Sequence, residues 1–85
     1  MSESRILEKL NPMEKRVLAL AVDGLRNGDI ANQVGISEQM VKNYMRNIYD
    51  VTGMSHGREL LAFVYNKPDL LEALRGVDLP ALNSA

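Results

Sequence analysis

Apolar residues recur along this chain at intervals of three and four, the period of helices that bury one face. Apolar and polar residues nowhere alternate as they would in a half-buried strand, and no internal repeat or low-complexity tract is present. The expected fold class is all-α. Ile6, Leu7 and Leu10 mark a short helix within residues 3–10, packed on the main body. A stronger start signal follows at Asn11-Pro12-Met13-Glu14. Asn11 can cap a helix, Pro12 suits its first position, and Glu14 sits where a capping box closes. That helix turns Val17, Leu18, Leu20, Ala21 and Val22 inward and ends at Gly24 in a left-handed cap. Asn27 is expected to cap a second, short helix from about Gly28 to Val34, with Ile30, Ala31 and Val34 inward and Asp29 in its first turn.

The third helix has the most sharply divided pattern. Gly35 makes the turn, Ile36 plugs the corner and Ser37 caps a helix running over about 37–52. Val41, Tyr44, Met45 and Ile48 fall on one side, with Ser37 and Thr52 roughly in line. Gln39, Asn43, Arg46 and Asp50 fall on the other, flanked by Lys42 and Asn47. Two helices joined this tightly around a glycine form a helix-turn-helix, with the small Ala31 where they approach. Gly53 ends the third helix and Met54 supplies the apolar contact past the cap. A fourth helix is expected over about Gly57–Asn66, with Leu60, Leu61 and Val64 inward and Phe63 to one side. Pro68 interrupts it. Asp69 is expected to cap a last segment carrying Leu70, Leu71, Leu74 and Val77, and beyond Pro80 the chain should fray. The expected organisation is an N-terminal extension at 1–10, a helix-turn-helix domain at 11–67 and a C-terminal extension at 68–85.

Composition narrows the functions that fit. Eighty-five residues make one domain, and 46% hydrophobic residues suffice for its core. The absence of cysteine excludes a disulfide framework, a thiolate metal site and a cysteine nucleophile. The longest apolar run, Val17 to Val22, falls far short of the ~20 residues of a membrane span. No signal peptide opens the chain, so a cytoplasmic protein with no membrane partner is expected. The only histidine, His56, has no partner cluster and reads as a loop or cap residue, and Glu14 and Glu59 read as first-turn residues. Neither catalysis nor a metal or other cofactor is expected.

The polar face of the third helix carries the candidate chemistry. Amides and cations are the groups that hydrogen-bond base edges in a DNA major groove. Lysine and arginine suit guanine O6 and N7, and asparagine pairs bidentately with adenine. Backbone N–H groups at capped helix starts suit phosphate. A net charge of −1 runs against this reading, since nucleic-acid binders usually carry a basic surplus.

The motifs together resemble the LuxR-type (GerE-like) DNA-binding domain of bacterial transcription regulators. The family's opening Leu-Thr-Pro-x-Glu is matched by Leu10-Asn11-Pro12-Met13-Glu14. Its Gly-x-x-Asn-x-x-Ile-Ala segment stands as Gly24-Leu25-Arg26-Asn27-Gly28-Asp29-Ile30-Ala31, and Ile-Ser-x-x-Thr-Val-Lys as Ile36-Ser37-Glu38-Gln39-Met40-Val41-Lys42. Ile48 and Gly53 match the exit of the third helix, so the likeness runs without a gap from Leu10 to Tyr65. It implies a four-helix domain whose third helix enters the major groove and whose fourth makes a homodimer. Carried over by position, base contacts fall on Lys42, Asn43 and Arg46, and Gln39 and Asn47 on the same helix are expected to contact bases with them. Phosphate contacts fall on Asn27, Ser37 and Tyr44, and the dimer seam on Arg58, Ala62 and Tyr65. The chain departs from the pattern at Met40, Tyr44, Asp50, Val51, Thr52 and Gly57, and several of these changes remove positive charge.

Other readings fit some of the same residues. Lys42 and Arg46 also suit an ordinary solvated i,i+4 pair, Tyr44 suits the core rim better than a base-stacking platform, and the scattered methionines suit gap-filling. The residues 69–77 would enlarge the dimer interface or pack beside it. The runner-up function is a protein-interaction module that binds another regulator or RNA polymerase with little DNA binding. No small-molecule ligand is expected, because 85 residues leave no room for a receiver or ligand-binding domain. A complete chain would be regulated through abundance, a partner or dimerisation, and an excised domain through a sensor elsewhere.

Overall fold

The computed structural model describes residues 4–76, which form six α-helices and, within that span, no strand. They are α1 (Ser4–Glu8), α2 (Pro12–Val22), α3 (Asn27–Val34), α4 (Glu38–Thr52), α5 (Gly57–Tyr65) and α6 (Pro68–Arg75). The expectations for Val77 and for the tail beyond Pro80 lie outside the described residues.

The start of α2 forms as its sequence dictates. Asn11 is extended, at φ −76° and ψ 168°, and its Oδ1 accepts from the Glu14 backbone N–H at 2.7 Å. Glu14 returns the bond, its Oε1 accepting from the Asn11 N–H at 2.9 Å, which completes the capping box. At the other end two bonds turn the chain out of the helix. Gly24, at φ 95°, donates to Ala21 O at 3.0 Å and Leu25 donates to Leu20 O at 3.2 Å.

That exit decides where α3 begins. Arg26, at φ −84° and ψ 164°, is the residue left in extended conformation, and its carbonyl accepts from Ile30 N at 2.9 Å. Asn27 is therefore the first helical residue, not the cap, and no side chain caps α3. A similar correction applies to α6. Lys67 precedes the helix, Pro68 occupies its first position and Asp69 lies in its first turn without capping it. Proline has no N–H to satisfy there and a φ suited to helix, so Pro68 starts α6 as well as separating it from α5. His56 caps α5 as expected, with Nδ1 accepting from Glu59 N at 3.3 Å.

One core joins all these elements, and α2 runs through it. Val17, Leu18 and Leu20 are buried beside Ile30 and Ala31 of α3, Val41, Met45 and Ile48 of α4, and Leu60 and Val64 of α5. Leu10 from the N-terminal segment and Leu70 and Leu74 from α6 belong to the same cluster. The α6 helix folds back against α2 and α5, and α1 packs on α6. Full burial of Leu70 and Leu74 contributes roughly 1.5–3 kcal/mol each. The core thus runs across the 67/68 boundary, and α6 packs within the same protomer.

Candidate nucleic-acid interface

The turn between α3 and α4 occupies three residues. Gly35 takes φ 82° and ψ 37°, a left-handed conformation that glycine adopts without a Cβ clash. Its N–H and that of Ile36 both donate to Ala31 O, at 2.9 and 3.0 Å, so the chain reverses tightly at the end of α3. Ser37, extended at φ −76° and ψ 156°, then caps α4, its Oγ accepting from Met40 N at 3.1 Å. The left-handed Gly35 and the Ser37 cap together let two helices meet within so short a link.

The α4 helix is divided as its sequence pattern predicted. Val41, Met45, Ile48 and Thr52 are buried, while Tyr44, Tyr49 and Val51 lie half-buried against the core. Thr52 is satisfied within the last turn, its hydroxyl donating to Ile48 O at 2.8 Å. Glu38, Gln39, Lys42, Asn43, Arg46 and Asp50 are exposed, as is Met40 at 41% of its surface. The structure thus brings Gln39, Lys42, Asn43 and Arg46 together as one outward ridge. Within it Gln39 Nε2 donates to Asn43 Oδ1 at 3.1 Å.

Asn47 stands apart from that ridge. Its Nδ2 donates to Glu14 Oε2 at 2.7 Å, a bond spanning 33 residues. At 100° per residue Asn47 falls on the flank of α4 turned toward α2. Asn47 is exposed like the ridge residues, and its amide also ties α4 to the start of α2. Glu14 is the residue whose role the sequence pattern understated. It is only 7% exposed, and its two oxygens hold the start of α2 and the middle of α4 at once. The capping-box spacing revealed the first bond, but nothing local could reveal the second.

The other expected positions are distributed around the ridge. Ser37 is exposed at the α4 start, Asn27 is half-buried at the α3 start, and Tyr44 sits at the core rim. Glu38 adds a negative element there, its Oε1 standing 3.1 Å from where a Cβ on Gly28 would lie, beside the α3 start. On α5, Arg58, Ala62 and Tyr65 are exposed. Tyr65 remains 55% exposed although its hydroxyl donates to Val22 O at 3.1 Å, so its ring is held in place while one side faces solvent. Among the described residues no group of three acidic or histidine side chains could hold a metal ion. No helix among them is long and apolar enough to cross a membrane.

A short helix, a glycine turn and a capped helix with a polar outer ridge define a helix-turn-helix domain. Residues 8–62 match the family of bacterial regulatory proteins known as the luxR family (GerE). The match covers more than half of the chain, and the chain belongs to that family, which comprises DNA-binding transcription regulators and not enzymes. It is also 40% identical over 50 residues to the probable transcriptional regulatory protein SgaR of Hyphomicrobium methylovorum. That stretch is 59% of this chain and 24% of the relative, so the chain spans about a quarter of that protein's length. No solved structure matches the chain at a significant level.

Proposed function

We propose that the chain binds duplex DNA sequence-specifically as a homodimer and regulates transcription. The observation that carries this reading is the exposed ridge of Lys42, Asn43 and Arg46 on a helix whose opposite face is buried and whose flank Glu14 anchors. Side chains that must reach base edges gain from a rigid support, because ordering a mobile helix on binding would cost affinity. In this reading α4 lies in the major groove, with Lys42 and Arg46 toward guanine and Asn43 toward adenine. Asn27, Ser37 and Tyr44 approach phosphates. The exposed face of α5 at Arg58, Ala62 and Tyr65 meets a second copy, so that two half-sites lie about one helical turn apart. RNA polymerase or another regulator would be a further partner at the promoter.

Titration with mixed duplex DNA at several salt concentrations tests this directly. Binding should weaken steeply with salt, because each phosphate neutralised releases counterions. Arg46→Ala should cost about 1–3 kcal/mol at a specific site and relax preference at one base pair. Absence of binding even at low salt would replace this reading with a protein-interaction module, which the formal net charge of −1 would suit. Ala62→Glu, at an exposed position, should shift the sedimenting species from dimer to monomer without unfolding it.

A further inference from the structure

The bond within the ridge determines which way an amide faces. Gln39 and Asn43 are one turn apart on the exposed side of α4, and the Gln39 amide donates to Asn43 Oδ1 at 3.1 Å. An asparagine amide has two orientations of nearly the same shape and opposite hydrogen-bonding sense. With Oδ1 held toward Gln39, Nδ2 points away from it. Oδ1 has two lone pairs, so one remains free, and both Nδ2 hydrogens remain available.

A neighbouring acceptor and donor are what adenine requires, because it presents the N6 amino group beside N7 in the major groove. Guanine presents two acceptors there, cytosine a donor, and thymine an acceptor beside a methyl group. The oriented amide can therefore pair bidentately with adenine and with no other base. Arg46 follows Asn43 by three residues, about 4.5 Å along the helix axis. That is close to the ~3.4 Å between successive base pairs, so with α4 running along the groove the two side chains would meet neighbouring pairs.

We propose that Gln39 is a positioning residue that fixes the Asn43 amide for adenine, and that each half-site contains an adenine next to the guanine met by Arg46. This rests on the major-groove reading above and names its target. Selection of bound sites from a randomised duplex pool, by the full chain and by variants, tests it. The unaltered chain should enrich an adenine–guanine step in each half-site, and Asn43→Ala should remove the adenine preference by roughly 5- to 100-fold. Gln39→Met keeps the length but loses the donor. It should lower the adenine preference about twofold per half-site, the bias a surface i,i+4 bond supplies, and by more than it lowers the guanine preference. Gln39→Glu can only accept, so it draws Nδ2 toward itself, turns the amide over and should reduce the adenine preference further.

An adenine preference indifferent to both Gln39 variants would overturn the positioning role. So would equal loss of preference at every position, and so would selected sites lacking the step. These outcomes differ from failure of the underlying reading, in which the unaltered chain selects no sequence and Arg46→Ala changes nothing. All substituted positions are exposed, and an unchanged thermal midpoint confirms that the variants remain folded.

Discussion

Two helices of the domain, α2 and α3, begin beside an asparagine, and the two asparagines do different work. Asn11 precedes α2, is extended, and accepts the N–H of Glu14 at 2.7 Å. Asn27 is already inside α3, whose cap position is held by Arg26 and receives no side-chain bond. The difference lies in what surrounds each residue. Asn11 has a glutamate three positions on to close the box, whereas an Asn27 cap would have Ile30 in that place. Upstream, Leu25 is committed to its bond with Leu20, which leaves Arg26 as the extended residue before the helix. An asparagine before an apolar run is thus an offer of a cap, and the preceding turn decides whether it is taken. The consequence extends to the interface, because the capped helix is wired through Glu14 to α4 while the uncapped one lies beside the Glu38 carboxylate.

The largest effect should come from breaking that wiring. Glu14→Ala removes the acceptor for both the Asn11 N–H and the Asn47 amide, and hydrogen bonds to a charged group are worth about 1.5–3 kcal/mol. A loss of about 2–3 kcal/mol in urea unfolding is expected, with the denaturant slope unchanged. Glu38→Ala, removing an exposed acid near the uncapped helix, should stay within about 0.5 kcal/mol. Equal losses in the two variants would erase the contrast between the helix starts.

Next in size is Asn11→Ala, which removes the cap but leaves Glu14 bonded to Asn47. It should cost about 1 kcal/mol, the ordinary value of a side-chain N-cap. A loss matching that of Glu14→Ala would locate the whole effect in the cap and none of it in the tie to α4.

How much of this could be read from the sequence follows the range of each interaction. The turn, cap and two faces of α4 were legible, because they are local patterns at Gly35, Ser37 and Val41 to Ile48. The expected membership of the luxR family was legible in the same ungapped motifs. The ends of α3 and α6 were misplaced where one turn or one proline shifts the first helical residue, as at Arg26 and Pro68. The tie between Asn47 and Glu14 was not legible, because the two lie 33 residues apart, a distance no spacing rule covers. The docking of α6 on α2 was likewise open. Leu70 and Leu74 announced an apolar face without saying which surface would cover it.

The uncapped start of α3 can also be improved. Arg26 is exposed and its backbone already has the extended conformation of a cap. Arg26→Ser would place an acceptor there and should stabilise the domain by about 0.5–1 kcal/mol, seen as a higher midpoint in urea. No gain would mean that the first-turn N–H groups of α3 are already satisfied in another way.

The smallest effect on stability should fall on the residue at the centre of the comparison. Asn27→Ala removes no cap, so its stability should change by no more than about 0.5 kcal/mol. DNA binding separates the remaining possibilities. If Asn27 meets a phosphate, affinity should fall equally on specific and unrelated sequences, since phosphate contacts carry no base information. The salt slope should stay as it was, because a neutral amide releases no counterion when it binds. A stability loss of about 1 kcal/mol, the value found for a true cap, would instead mean that in solution α3 starts one residue later and that Asn27 does what Asn11 does.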